Sequence, residues 1–275
     1  KTAYEIMPSL VGSEMCIRDR DFPISTAIGW QLSPTIAAHN ESSEILIAWE
    51  DARNGIDLDI YGQRLAADGH LLGGNFALVI GEYDQCAPSL FPKSGGEGYL
   101  LLWHHQQRDY HAVYGQCLSM AGTPMGAPFR IPAPNNGQQW IPGGAYNDVA
   151  NEFLIVWEDM FTSEIMGQRI TADGDLIGEA IVISTRPKSQ WAPPYAVFNG
   201  TREEYLVVWD ELGVGDIYGQ IVRADGTLLG EDLAISTVPG KQFVSSVTYN
   251  SNSDEYLILW TDERALETHD GDIYG

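Results

Sequence analysis

Two sets of polar residues recur along this 275-residue chain at a spacing that could assemble a binding surface. The first is a series of glutamines, Gln31, Gln85, Gln139, Gln190 and Gln242, with rings following in Trp140, Trp191 and Phe243. An amide both donates and accepts hydrogen bonds, and an aromatic ring offers a stacking face. Ringed near one opening, such pairs would suit a neutral polar ligand such as a sugar. The second set trails the tryptophans at 49, 157, 209 and 260: Asp51 with Arg53, Asp159, Asp210, and Asp262 with Arg264. Converging carboxylates could hold Ca²⁺ or, as differently tuned pairs, cleave glycosidic bonds. A third cluster, His104, His105 and His111, is the candidate transition-metal site.

Each set also has a structural explanation. A glutamine that returns in every unit could tie a loop to its neighbour through backbone hydrogen bonds. The second recurring glutamine, at Gln63, Gln116, Gln168 and Gln220, invites the same account. An Asp two residues after Trp could accept backbone N–H bonds or pair with Arg53 or Arg264. No loop carries the dense D-x-D-x-D-G spacing of a self-contained calcium site, so no cofactor is expected. Adjacent histidines seldom ligate one ion together. The runs that begin at the first set of glutamines contain no Asp or Glu, which counts against a glycosidase in a central channel. Nucleophile-elbow, phosphate-loop and paired CxxC motifs are lacking.

The elements that must position these residues come from an internal repeat. The stretch EYLVVWDELGVGDIYGQ at 204–220 returns at 44–63, 98–116, 152–168 and 255–275, and its tryptophans stand 54, 54, 52 and 51 residues apart. Such a period points to a repeat architecture. Each unit offers four strand-like runs. The first begins at the glutamine. The second, of the YLVVW type, is apolar at consecutive positions, so both its faces must be buried. The third is DIYGQRL or a variant. An Asp-Gly pair follows at Asp68-Gly69, Asp173-Gly174 and Asp225-Gly226, with Ala121-Gly122 in the second unit, and reads as a type I′ hairpin. The fourth run is of the LLGEDLAIS type.

Four antiparallel strands in about fifty residues describe one blade of a β-propeller. The YLVVW-D-x-R, DIYGQR and ADG-x-LG pattern resembles tandem propeller repeats of secreted and environmental bacterial proteins. The resemblance spans nearly all of 21–275 and implies the fold without bringing an activity. The expected architecture is all-β, with five blades at about 31–84, 85–138, 139–189, 190–241 and 242–275. Residues 21–30, DFPISTAIGW, match the tail of a fourth strand and are expected to close the last blade. Loops into the first strand and loops after each Trp then share one face, where functional variation should sit.

Composition narrows the partners. With 15 Lys+Arg against 38 Asp+Glu, the net charge is −23. That field repels nucleic acid and anionic membranes, and no apolar run approaches the roughly 18 residues of a membrane-spanning helix. Residues 7–20, MPSLVGSEMCIRDR, resemble translated sequencing-adapter read-through, so 1–20 is expected to be a non-native or disordered leader that hides any signal peptide. Cys16, Cys86 and Cys117 each replace other residue types, so a disulfide framework is not expected. The functional expectation is a non-catalytic extracellular or cell-surface binding module, lectin-like and directed at a neutral or cationic ligand, as a monomer or part of a larger chain. The alternatives are a polysaccharide hydrolase or lyase, and a purely structural module.

Overall fold

A computed structural model describes residues 21–39, 44–132, 138–186, 193–211, 213, 215–264 and 271–275. The chain forms five antiparallel blades in a ring, a five-bladed β-propeller. Blade 1 comprises β1 (Gln31–Ala38), β2 (Glu44–Asp51), β3 (Asp59–Ala66) and β4 (Leu71–Val79). Blade 2 comprises β5 (Asp84–Pro92), β6 (Tyr99–Gln107), β7 (Tyr110–Leu118) and β8 (Pro124–Arg130). Blade 3 is built from β9 (Gln139–Asn147), β10 (Glu152–Asp159), β11 (Ile165–Thr171) and β12 (Leu176–Ser184). Blade 4 is built from β13 (Tyr195–Asn199), β14 (Glu204–Asp210), β15 (Ile217–Arg223) and β16 (Leu228–Ser236). Blade 5 contains β17 (Gln242–Asn250), β18 (Glu255–Asp262) and β19 (Asp272–Tyr274).

The second strands behave as their composition demands. Every residue of β14 is buried, and Trp157 and Trp209 are fully so. β6, β10 and β14 each pack on both neighbours: Leu100 and Leu102 join the cluster around Phe153 and Trp157, while Leu101 and Trp103 join the one around Leu46 and Ile60. Alternate side chains of a strand face opposite sides, so one strand supplies two cores.

The third and fourth strands are joined by a bulge that explains two motifs together. Register shifts fall between Gly62 and Arg64, Gly115 and Cys117, Gly167 and Arg169, and Gly219 and Ile221. The facing Gly73, Gly126, Gly178 and Gly230 take φ of 66° to 74°. The glutamine inside each shift donates across the bulge: Gln63 to Leu72 O, Gln116 to Met125 O, Gln168 to Ile177 O and Gln220 to Leu229 O. The recurring Gly-Gln pair is therefore architecture.

The hairpin at Asp-Gly forms, but not as type I′. Only the glycine has positive φ, at 81°, 76°, 94° and 91° for Gly69, Gly122, Gly174 and Gly226, and its N–H bonds three residues back, as in Gly69 N to Ala66 O. This is a type I turn followed by a left-handed residue. A Cβ on Gly122 would lie 2.8 Å from the Phe76 ring, and one on Gly226 would lie 3.0 Å from Ile181. Gly122, Gly174 and Gly226 thus also seat Phe76, Phe129 and Ile181 of the preceding blade's fourth strand.

The junction between blades 5 and 1 differs from the other four. Residues 21–30 form no strand and are not paired with β19, contrary to the expected closure. They follow blade 1 instead: Asn75 Nδ2 donates to Ile24 O at 2.9 Å, and Phe22 lies near Gly69 as Ile181 lies near Gly226. The segment sits where a preceding fourth strand would, tied by the Asn75 hydrogen bond with Phe22 still 43% exposed, while the three-residue β19 is paired on one side only among the described residues. Ile36, Leu257 and Ile273 are 63%, 51% and 69% exposed. The equivalent Ile60, Ile165 and Ile217 of the third strands are fully buried. Cys86 and Cys117 are free thiols, without a bridge.

This asymmetry has a measurable consequence. Ile217→Ala should cost about 2–4 kcal/mol in denaturant unfolding, whereas Ile273→Ala, at the same repeat position, should cost under about 0.5 kcal/mol. Equal losses would mean that the last junction is packed like the others.

Candidate functional site

Four concave regions stand near the predicted residues or the axis, one of them an apolar hollow of about 350 Å³ beside Ile24, Gln31, Leu32, Ile36 and Trp49. The first, of about 450 Å³, is lined by the ends of all five inner strands: Ala38 and His39, Pro92 and Lys93, Tyr146 and Asp148, Phe198 and Thr201, Tyr249 and Ser251. It is the axial mouth on the side of the turns between first and second strands. The second, of about 560 Å³, lies on the opposite side between blades 1 and 2 and is lined by Asp57, Glu82, Tyr83, Asp84, Gln106 and Arg108 among others. The third, of about 380 Å³, adjoins the second through Glu82 and Tyr83 and reaches Gln85, Trp103, His105 and Tyr114.

The lead-in glutamines serve mainly as ties. Gln85 Nε2 donates to Glu82 O and Tyr83 O at 3.2 and 3.1 Å, and its Oε1 accepts from Trp103 Nε1 at 2.7 Å. Gln139 Oε1 accepts from Val113 N of the preceding blade, Gln242 donates to Gly240 O, and Gln31 donates to Gly29 O. None of these glutamines lines the axial mouth. Trp140 stands against His104 and His111, at ring distances of 4.9 and 5.4 Å, and Phe243 is half-buried. Gln190 and Trp191 lie outside the described residues.

The aspartates after Trp are buried rather than splayed into solvent. Asp51 accepts from Trp49 Nε1 at 2.8 Å and from Arg53 through both carboxylate oxygens. Burial pushes its pKa up, but the hydrogen bonds from Arg53 and Trp49 outweigh that, and the carboxyl is net lowered. Asp262 repeats the arrangement with Trp260 and Arg264, and the Arg264 hydrogen bonds bring it down to about 2. Asp159 accepts from the N–H groups of Phe161 and Thr162, capping its own loop. Asp210 is 1% exposed. Glu50 Oε1 reaches across to Ala87 N at 2.6 Å, where β5 bulges with positive φ. These groups hold loops to strands and blades to one another.

The histidines do not converge. His104 Nε2 and His111 Nδ1 are 2.9 Å apart with stacked rings, so one donates to the other. His105 points to the other face of β6, toward Gln85 and Tyr114. Among the described residues, no three His, Cys, Asp or Glu side chains are grouped to hold a metal ion.

Residues not singled out by sequence reasoning line the cavities. Tyr146, Phe198 and Tyr249 close the axial mouth, and Glu82, Tyr83, Asp84 and Tyr114 line the two regions opposite. A signal for the first three was present, since each ends its inner run in an aromatic residue just before the turn.

No protein-family profile and no curated protein matches the chain. The fold is similar to solved glycan-acting propellers. One is the GH43_1 enzyme from Xanthomonas citri complexed with xylose, at 12% identity and a TM-score of 0.53, covering 88% of this chain and 84% of that one. A second is the endo-arabinase from Bacteroides thetaiotaomicron, at 12% identity and a TM-score of 0.53, covering 88% and 92%. A third is the alpha-L-arabinofuranosidase from Lactobacillus brevis, at 12% identity and a TM-score of 0.51, covering 87% and 85%. At this identity the likeness is one of fold.

The His104 environment yields a pH test. Burial, followed by the neighbouring His111 and His105, lowers its pKa to about 3. The unfolded chain therefore binds a proton near pH 6.5 that the folded chain refuses, so this contribution to stability is lost as pH falls from about 6.5 toward 3. Melting temperatures measured from pH 7 to 4 should decline, and His104→Gln should flatten the slope. An unchanged slope would place the titrating group elsewhere.

Proposed function

We propose that this propeller is polysaccharide-active, engaging a glycan in the cleft between blades 1 and 2. The observation that carries the reading is the convergence of Asp57, Glu82 and Asp84 on one open cleft with Tyr83, Gln106 and Arg108. They come from the loop after Trp49, from the lead-in loop, and from the start of β5. Glycoside hydrolysis needs one carboxyl to protonate the leaving oxygen and a second to act as base or nucleophile. Asp84 Oδ1 accepts from Leu58 N at 2.9 Å and is thereby oriented, which suits the base or nucleophile. Glu82, on the lead-in loop of the same cleft, is the carboxyl left for the acid role. The likeness of fold to an endo-arabinase and an arabinofuranosidase supports neutral pentose polymers as the first substrates to try.

A second reading, glycan capture without cleavage, is favoured by the axial mouth. That pocket combines Tyr146, Phe198 and Tyr249 with the hydroxyls of Thr201 and Ser251, and Asp148 is its sole carboxylate among the described lining residues. Rings with convergent polar groups suit saccharide binding, while one carboxylate lacks the partner that hydrolysis requires.

Both readings meet in one experiment. Reducing-end release from arabinan and xylan should be detectable with the wild-type chain. It should fall by about 10²–10⁴-fold in Asp84→Asn and Glu82→Gln, with circular dichroism unchanged. Pull-down on the insoluble polymers without any release, abolished by Tyr249→Ala, would replace hydrolysis with capture. No release and no retention would sink both.

A further inference from the structure

Among the described residues, blade 2 alone has the third-strand tyrosine without an arginine over its ring. In blade 1, the guanidinium of Arg53 lies 3.7 Å over the ring of Tyr61. In blade 5, Arg264 lies 4.0 Å over Tyr274, the equivalent third-strand tyrosine. Both arginines stand four residues after their tryptophan. In blade 4, Arg186 lies 4.2 Å over Tyr218, but it comes from the lead-in loop, four residues before Gln190. It is anchored by Glu211 and Asp232 at 3.4 and 3.3 Å. Two different loops therefore deliver the same cation to the same ring. Blade 3 carries Met166 in the tyrosine slot.

Blade 2 keeps the tyrosine, and among the described residues no arginine lies over it; Arg130, its partner on β8, lies over Tyr110 instead, at 5.2 Å. Tyr114 stacks on Trp103 with centroids 5.7 Å apart, much as Tyr274 stacks on Trp260 at 6.4 Å. The residue four after Trp103 is Gln107, and the residue four before Gln85 is Gly81. The 380 Å³ cavity lies at this place, against Tyr114, Trp103, Tyr83, His105 and Gln85, with Gly81 and Glu82 at its edge. Part of the surround that the sibling blades use persists: the ring of Tyr114 and, in place of Asp51 and Asp262, the carboxylate of Glu82, while His105 stands two residues after Trp103 and Gln85 Oε1 accepts from Trp103 at 2.7 Å. His105, its pKa lowered by burial, adds no competing positive charge at neutral pH.

We propose that this cavity receives a guanidinium group carried by a ligand, taking the place that Arg53, Arg186 and Arg264 fill in the other blades. The net charge of −23 favours the approach of such a ligand. The group could be carried by free arginine or by an arginine side chain in a peptide, and the assay separates the two.

The full chain would be titrated calorimetrically with L-arginine, N-acetyl-arginine amide, its neutral isostere N-acetyl-citrulline amide, and a hexapeptide bearing one central arginine. The arginine amide should bind at least about tenfold more tightly than the citrulline amide. Tighter binding of the hexapeptide than of free arginine would assign a peptide source, and the reverse a free amino acid. Tyr114→Leu should remove the preference. Gly81→Arg, which supplies the missing side chain from the position used by Arg186, should abolish binding while keeping or raising the melting temperature. Equal affinity for the two amides, absence of binding at about 10 mM, or wild-type binding in a folded Gly81→Arg chain would each overturn the proposal. The readout is binding, so it stands or falls apart from hydrolysis.

Discussion

A blade of this propeller cannot satisfy its second strand alone, and most of the molecule follows from that constraint. Leu100 to Leu102 or Tyr205 to Val208 place large apolar side chains on both faces of one strand, and each face needs a neighbour. At about 25 cal/mol per Å² of apolar surface removed from water, stacking blades is the dominant gain available to such a strand. The tryptophan ending the strand extends that burial to the lead-in side, where its indole N–H must still be satisfied. Blades 1 and 5 solve this with Asp51 and Asp262 two residues on, and blade 2 with the lead-in Gln85.

Polar residues at the ends of these strands then acquire structural duties. Asp51 buried without Arg53 would be an uncompensated charge in a weakly polar setting. With Arg53 and Trp49 it becomes a hub that fixes the loop, the strand end and the ring of Tyr61. Glu50, one residue earlier and on the opposite face, reaches the next blade's bulge at Ala87. Charged residues that look like chemistry in the sequence are thus partly consumed in joining adjacent layers.

This accounts for what was legible in the sequence. The period, the runs of each unit and the two-sided second strand follow from side-chain type alone, and the structure carries them with four strands in blades 1 to 4 and three in blade 5. The turn at Asp68-Gly69 was harder, because the glycine has positive φ in both hairpins and Asp tolerates either sign, so only the φ of Asp68, which is not positive here, distinguishes them. Closure by 21–30 was not decided by pattern matching: the Ile24 carbonyl is bound by Asn75 and Phe22 lies near Gly69 of blade 1, without pairing to β19. The axial mouth was hidden because the turns after Ala38, Asn147 and Asn199 are polar and resemble generic connections, although the aromatic residues beside them repeat. The cavity of blade 2 was hidden for a different reason. It arises from Gly81 and Gln107, residues that are unremarkable alone and informative only beside Arg186 and Arg53.

Repetition therefore changes how a site should be sought. A residue present in every blade, such as Gln63 or Gln116, is explained by a requirement that every blade shares, here the carbonyls freed at a bulge. A residue whose role is kept while its origin shifts says more. Arg53 and Arg186 reach equivalent rings from opposite ends of the repeat, so the constraint falls on the occupant over the tyrosine and not on a position in the chain. Packing interiors disfavour unfilled space beside aromatic rings, and three blades fill it with a guanidinium of their own. Where a blade retains the ring but omits the side chain, as at Tyr114, the face of that ring is where the proposed guanidinium ligand would make the contact.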